Sequence, residues 1–136
     1  MNTTAAGTID TAPEASESEM ARYERAFRET RRVLDESIES LMILEEFEDD
    51  STMRDQLALK RLELETDRTD LVRSNIAFHT GTATMHPPSP ALVAEIVELS
   101  KKAAELTVQK SKATGFLKLA TSALTKFAQI ADIKAG

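Results

Sequence analysis

Apolar residues recur every seven positions in three long segments, and this spacing constrains the fold more than any other feature of the chain. The first series is Met20, Phe27, Leu34 and Leu41. The second is Leu57, Leu64, Leu71 and Phe78, and the third is Leu92, Leu99, Leu106, Ala113, Ala120 and Phe127. Seven residues make two turns of an α-helix, so each series forms a stripe along one helix face. The spacing therefore predicts an all-α fold with coiled-coil-like heptad seams.

The N-terminal segment differs in composition from the rest of the chain. Residues 1–12 are rich in Thr and Ala and carry one charge, which predicts a flexible tail. Residues 13–136 contain all three stripes and have the length of one domain, so we expect a single helical domain there. With only four Gly and four Pro, the chain has too few turn signals for many short strands.

The first stripe lies in a helix predicted at about 13–48. Thr11, with Glu14 three residues later, has the spacing of a capping box, and Ser16 with Glu19 offers a second start of the same kind. A helix of this length extends about 50 Å. Such a length is typical of a coiled coil or of an extended helical hairpin.

The second stripe is offset from the first by two residues, and the acidic segment 45–50 separates them. Two residues turn a helix face by about 200°, so we interpret this segment as a tight reversal. A kink in one continuous helix is the alternative. Ser51 or Thr52 can cap the second helix, which is predicted at about 52–79, and Gly81 suits the left-handed position that follows a helix end.

The third stripe is the longest and begins at a clear start signal. Ser89 followed by Pro90 is a favourable pair of N-cap and first helical residue, and it opens a helix predicted at about 90–133. Gly115 is the only helix breaker inside this range. If the chain turns at Gly115, the fold is a four-helix bundle. If it does not, the fold is a three-helix bundle or an antiparallel hairpin of long helices.

The residue patterns of enzymes and cofactor-binding proteins are missing from the chain. It has no Cys, which excludes disulfides and thiolate metal sites. Its two histidines, His79 and His86, have no Glu or His at the spacing that holds a metal on a helix face. No phosphate-binding loop or nucleophile elbow occurs either. We therefore expect no catalytic, cofactor-binding or metal-binding residues and no enzymatic activity.

Charge is distributed unevenly along the chain. Residues 1–75 have 19 acids and 10 bases, and residues 76–136 have 4 acids and 7 bases. The two parts either pack together through complementary surfaces or present an acidic face to a basic partner. Nucleic acid is not an expected partner, because phosphate binding requires a concentrated basic surface. The densest acids form a turn that we predict to bind a partner: Glu45, Glu46, Glu48, Asp49 and Asp50.

The apolar stripes of the second and third helices do not match in width. The wider third stripe has more apolar surface than the second can cover, which favours oligomerisation or a partner. Its predicted partner-binding residues are Leu92, Ile96, Leu99, Leu106, Leu117, Leu124 and Phe127. The expected function is a non-enzymatic module for protein–protein interaction, binding another protein or a second copy of itself. An adaptor, a chaperone-like, immunity or inhibitor protein, or an assembly subunit of bacterial or phage origin fits this description.

A membrane-active or secreted effector is the alternative function. Residues 116–130 have a wide apolar face flanked by lysines, a form shared by interfacial membrane helices and by buried helices of bundles. The N-terminus lacks the features of a cleaved secretion signal, and no apolar run is long enough to span a bilayer. We expect a cytoplasmic protein, with export without a cleaved signal as the alternative.

Overall fold

The structure is a computed structural model that describes residues 18–106 and 113–131. Within these residues the chain forms four α-helices: α1 (Glu19–Glu46), α2 (Ser51–His79), α3 (Pro90–Glu105) and α4 (Ala113–Phe127). The helices pack against one another, which confirms the prediction of an all-α bundle. The predicted tail, residues 1–12, lies outside the described residues.

Helix α1 is the centre of the bundle and packs against each of the other three helices. Helices α3 and α4 also pack on each other, whereas α2 packs chiefly on α1. The hydrophobic core consequently follows the buried face of α1. Its largest fully buried side chains are Tyr23, Phe116, Phe127, Leu34, Leu41, Leu71, Ile96 and Ile130.

Helix α1 begins at Glu19 and ends at Glu46, two residues before the predicted end at 48. The predicted start near residue 13 lies outside the described residues. Ser18 is the observed N-cap, and its hydroxyl oxygen accepts a hydrogen bond from the Ala21 N–H at 3.0 Å. A serine cap satisfies one of the backbone donors that the first helical turn leaves without partners. The predicted caps Thr11 and Ser16 lie outside the described residues.

The chain reverses between α1 and α2, as we predicted for the acidic segment. The N-cap of α2 is Asp50, however, and not Ser51 or Thr52. Its Oδ1 accepts hydrogen bonds from the N–H groups of Thr52, at 2.9 Å, and Met53, at 3.3 Å. A carboxylate satisfies the free N–H groups and also interacts favourably with the positive end of the helix dipole, which explains why Asp50 takes this position.

Two predicted signals at the end of α2 and the start of α3 are confirmed. Gly81 has a φ of 81°, and its N–H bonds to the Phe78 carbonyl while the Thr82 N–H bonds to the Ala77 carbonyl. This pair of bonds is the Schellman motif, which requires a left-handed residue. At the start of α3, the Ser89 hydroxyl accepts a hydrogen bond from the Leu92 N–H at 3.1 Å.

Of the two alternatives for the range 90–133, the structure has the one with a break, because the chain folds back and forms two helices, which makes the fold a four-helix bundle. Helix α3 ends at Glu105, and α4 starts at Ala113. Lys126, near the end of α4, forms an ion pair at 3.2 Å with Glu95, near the start of α3, so the two helices are antiparallel. Folding back places the apolar faces of both helices against α1, which a single straight helix of this length does not achieve.

Gly115 is not the position of the break. It lies in the first turn of α4, where a Cβ atom added to it would be 3.5 Å from the Leu106 Cδ1 atom. That distance is an ordinary van der Waals contact. The start of α4 therefore approaches the end of α3 closely at Gly115, but the contact leaves room for a methyl group.

Candidate functional site

The face of α2 that meets α1 alternates between apolar and polar residues. Leu57, Leu64, Leu71 and Phe78 occupy one heptad position, as the sequence predicted. The other position is occupied by Arg61, Arg68 and Asn75, each of which makes a polar contact with α1. Polar residues at seam positions are satisfied in only one alignment of two helices, so these three contacts favour a single register.

Arg61 is the centre of the first polar contact. Its Nε and Nη2 atoms donate to the two carboxylate oxygens of Glu45 on α1, the Nη2 contact measuring 3.1 Å, and its Nη1 donates to Glu65 at 3.0 Å. The hydrogen bonds from Glu45 and then Glu65 raise the pKa of the Arg61 guanidinium above its ordinary value. All three side chains are largely shielded from water.

Two further contacts continue the seam toward the other end of the hairpin. Arg68 Nη1 donates to the Asp35 carboxylate at 2.9 Å, and the Tyr23 hydroxyl donates to Asn75 Oδ1 at 2.8 Å. The partner positions on α1 decrease as those on α2 increase. The two helices are therefore antiparallel and form a long hairpin.

Tyr23 is completely buried where α1, α2 and α4 converge. Its ring centroid lies 4.6 Å from that of Phe78 on α2 and 5.9 Å from that of Phe127 on α4. Burial, with a smaller contribution from the negative charge of Glu24, raises the pKa of the Tyr23 hydroxyl to about 12. The hydroxyl has a structural role, because its hydrogen bond to Asn75 joins two helices.

Helices α1 and α2 are longer than α3 and α4. They have 28 and 29 residues, against 16 and 15. At 1.5 Å per residue the first pair extends about 42 Å and the second about 24 Å. The Ser37 hydroxyl donates a hydrogen bond to the Phe116 carbonyl in the first turn of α4. The part of α1 that follows Ser37 therefore extends past the start of α4 to the hairpin turn between α1 and α2.

Large apolar side chains are exposed at that turn. Phe47, which follows the last residue of α1, is 75% exposed. Met42 near the end of α1 and Met53 in the first turn of α2 are 52% and 47% exposed. Exposed Glu46 and Asp49 lie beside them in the sequence. We name these five residues the hairpin tip.

A groove of about 720 Å³ runs along the hairpin from the tip, with which it shares Met42 and Glu46. Its apolar residues are Ile38, Met42 and Ile43, all on α1. The charged residues are Asp35, Glu39, Glu45 and Glu46 on α1 and Arg61, Glu65 and Arg68 on α2. We name this feature the α1–α2 groove. None of its lining residues belongs to α3 or α4.

The predicted apolar partner-binding residues are not brought together on an exposed face. Ile96 and Phe127 are completely buried in the core, so they are not available to a partner while the fold is intact. Leu92, Leu99, Leu117 and Leu124 are half-buried and pack against that core. Leu106, also half-buried, caps the C-terminal end of α3. These residues are buried or half-buried because the chain reverses between α3 and α4, which turns the two halves of the predicted apolar stripe toward α1.

The predicted acidic turn is divided between structural and exposed positions. Glu45 is paired with Arg61, and Asp50 caps α2. Glu48 is buried, and its carboxylate accepts a hydrogen bond from the Asp50 N–H at 3.1 Å. Glu46, Asp49 and Asp50 are exposed. Because the Asp50 side chain already caps α2, Glu46 and Asp49 are the two acids of the five that are most accessible to a partner.

The exposed apolar residues of the tip were not among the predicted site residues. Met42 and Phe47 lie outside the seven-residue series, and Phe47 is surrounded by acids in the sequence Glu45-Glu46-Phe47-Glu48-Asp49. A large aromatic residue whose sequence neighbours are all acidic is not part of an apolar helix face that could be buried. That isolation was the available signal for an exposed position.

The described residues contain no group of three or more His, Asp or Glu side chains that could hold a metal ion. His79 Nε2 lies 3.2 Å from Glu24, and the exposed His86 donates its backbone N–H to the Ile130 carbonyl. Burial, followed by the charges of Asp70 and Glu63, raises the pKa of Asp67, which does not line the groove.

Comparisons with other proteins do not add a function. No protein-family model, curated protein or solved structure matches the chain. Among the described helices, none is long and apolar enough to cross a membrane.

Proposed function

We propose that this protein is a non-enzymatic module for protein–protein interaction that binds its partner through the hairpin tip. The observation that supports this most is the 75% exposure of the Phe47 side chain in the turn between α1 and α2. Scattered apolar residues on a surface are common, whereas Phe47 is accompanied by Met42 and Met53, which are also exposed.

The chemistry of the tip suits a binding surface. Transfer of one phenylalanine or methionine side chain out of water contributes about 1.5–3 kcal/mol, so three such residues supply a substantial driving force. Aromatic and Met side chains are enriched in the buried centres of protein interfaces. Methionine is flexible and adapts to the shape of a partner. The exposed carboxylates of Glu46 and Asp49 add selectivity for a partner of complementary charge.

This proposal changes the location of the expected binding surface. The stripe of the third helix predicted from the sequence lies in and against the core, so we assign the interaction to the hairpin instead. The membrane-active alternative relied on an apolar face of 116–130, and the large apolar residues of α4 also pack in or against the core. These residues are therefore not free to enter a membrane surface while the fold is intact.

Affinity purification of the full-length protein from its native host tests the proposal. The unmodified protein is compared with Phe47→Asp, which adds a charge to the exposed apolar centre of the tip. Ala94→Asp is the matched control, because Ala94 is exposed on α3 and the new carboxylate near the start of a helix does not destabilise it. Circular dichroism verifies that both variants are folded.

We expect a protein that co-purifies with the unmodified chain and with Ala94→Asp and that is lost or strongly depleted with Phe47→Asp. A second copy of the chain with the same dependence also supports the proposal. Recovery of the same proteins with all three variants would contradict it, because the interaction would not involve the tip.

A further inference from the structure

The α1–α2 groove has an apolar floor next to a solvent-exposed methionine. Ile38 is buried, Ile43 is half-buried, and Met42 is 52% exposed. These residues lie on adjacent turns of α1, so they form one continuous strip along the groove. An apolar strip in a groove is the feature by which proteins recognise one face of an amphipathic helix.

The charge of the groove limits what can bind there. Its lining has five carboxylates and two guanidinium groups, which gives a net charge of −3. Arg61 and Arg68 are already paired with Glu45 and Asp35. Glu39 and Glu46 remain directed to solvent on the α1 side, and the described part of the chain places no cation at hydrogen-bonding distance from them. These carboxylates therefore favour a binding segment that supplies positive charge.

The length of the groove matches a short helix. On α1 it extends from Asp35 to Glu46, which is about 17 Å at 1.5 Å per residue. A segment of this length has about three helical turns. Three turns present apolar residues at positions i, i+3, i+4 and i+7, which is enough to cover the strip of Met42 and Ile43.

We propose that the α1–α2 groove binds a basic amphipathic helix of a partner protein. The apolar face of that helix packs on Met42 and Ile43, and its lysine or arginine side chains pair with Glu39 and Glu46. This inference rests on the proposed function, because it identifies the chemistry of the partner that an interaction module of this shape recognises. An acidic helix is repelled by the same carboxylates.

Binding of a synthetic peptide to the full-length protein tests this inference. The probe is a peptide of about 14 residues made of leucine and lysine, with leucines at helical spacing. One control peptide has the same composition in an order without an apolar face, and another has glutamate in place of lysine. Fluorescence anisotropy measures affinity, and the methyl signals of the methionines report the position of the peptide.

Charge-reversal variants distinguish binding in the groove from non-specific electrostatic attraction of the basic peptide to an acidic protein. Glu39→Lys with Glu46→Lys reverses both solvent-directed carboxylates of the groove. Glu98→Lys with Glu105→Lys makes the same change of charge at two exposed positions on α3 and serves as the matched control. Met42→Ala removes the exposed part of the apolar strip, and circular dichroism checks that each variant keeps its helices.

We expect the amphipathic leucine–lysine peptide to bind and to shift the methyl signal of Met42 while leaving that of Met85 unchanged. Glu39→Lys with Glu46→Lys weakens binding on the order of tenfold or more, Met42→Ala weakens it, and the α3 control does not. The control peptide without an apolar face and the control peptide with glutamate in place of lysine bind much more weakly.

Absence of binding, or equal loss of affinity in the groove and α3 variants, would overturn the assignment of the groove. A shift confined to Met53, on the other side of the hairpin turn, would also overturn it. These results are distinguishable from failure of the proposed function, which depends on loss of a native partner in Phe47→Asp. A partner lost in that variant together with no peptide binding rejects the groove alone.

Discussion

The Tyr23 hydroxyl donates a 2.8 Å hydrogen bond to Asn75 Oδ1, joining the first turns of α1 to the last turns of α2. The same tyrosine ring packs on Phe78 and Phe127, so one side chain connects three helices. The hydrogen bond lies at the opposite end of the hairpin from the exposed tip. It therefore supports the alignment that determines which residues reach the tip.

Removal of that hydroxyl is expected to weaken the hairpin modestly. Tyr23→Phe keeps the buried ring and loses one hydrogen bond, which costs about 1 kcal/mol of unfolding free energy. Urea denaturation measures the loss. In a double-mutant cycle with Asn75→Ala, the two changes together cost less than the sum of the separate costs. Strict additivity would mean that the hydrogen bond contributes nothing to stability.

The titration of tyrosine provides a direct measure of this environment. Tyr23 is the only tyrosine and the chain has no tryptophan, so the absorbance of tyrosinate reports one residue. We expect a pKa of about 12, against 10.0 for an unburied tyrosine, because burial disfavours the charged form. Titration of the folded protein near 10 would show that water reaches the hydroxyl.

The same shift predicts a loss of stability at alkaline pH. Below about pH 10 the hydroxyl is protonated in both the folded and the unfolded chain, so its stabilising effect is complete. Between 10 and about 12 only the unfolded chain ionises, and the unfolding free energy falls by up to about 3 kcal/mol. Comparison with Tyr23→Phe isolates this contribution from the titration of lysines.

The contact between Arg61 and Glu45 is expected to matter more than an ordinary surface ion pair. Arg61→Met leaves the largely shielded Glu45 carboxylate without its main partner and costs about 1–2 kcal/mol of unfolding free energy. Arg32→Met is the control, since Arg32 is 56% exposed in its contact with Glu29, and it costs about 0.5 kcal/mol or less. Equal costs in urea denaturation would argue against a specific role of the polar seam.

Two glycines are predicted to respond oppositely to alanine. At Gly81 nothing lies within 4 Å of an added Cβ atom, but φ is 81°, so Gly81→Ala costs about 1 kcal/mol through backbone strain. At Gly115 the added atom makes an ordinary contact inside a helix, so Gly115→Ala raises the unfolding free energy by about 0.5–1 kcal/mol. Thermal unfolding of the two variants measures both effects, and a loss of stability in Gly115→Ala would contradict this packing.

Local signals and the seven-residue spacing predicted much of the fold. The stripes predicted an all-α bundle, and the Gly81 and Ser89 signals are confirmed at their positions because each depends on a few neighbouring residues. Gly115 was the expected position of a possible break between α3 and α4, but it lies in the first turn of α4. The heptad pattern continues across the break, since both helices present their apolar faces to α1, and periodicity alone does not distinguish one helix from two that fold back.

The binding surface was harder to predict, because exposure depends on which helices cover which faces. The third seven-residue series, from Leu92 to Phe127, has the pattern of an apolar helix face. The reversal of the chain, however, turns that face toward the core. Met42 and Phe47 lie outside the seven-residue series, and the acids beside Phe47 indicate an exposed position without showing that it lies at the end of a hairpin. The paired roles of Arg61 and Asn75 likewise depend on an alignment that no single helix reveals.

Photocrosslinking in the native host tests the assignment of the hairpin tip most directly. A benzophenone amino acid replaces Phe47 or Met53 in the tip, or Ala94 or Thr125 at exposed positions on α3 and α4. We expect discrete adducts from the two tip positions, with a partner protein or a second copy of the chain, and none of these adducts from the other two positions. Identical adducts from all four positions, or none from Phe47, would contradict this assignment.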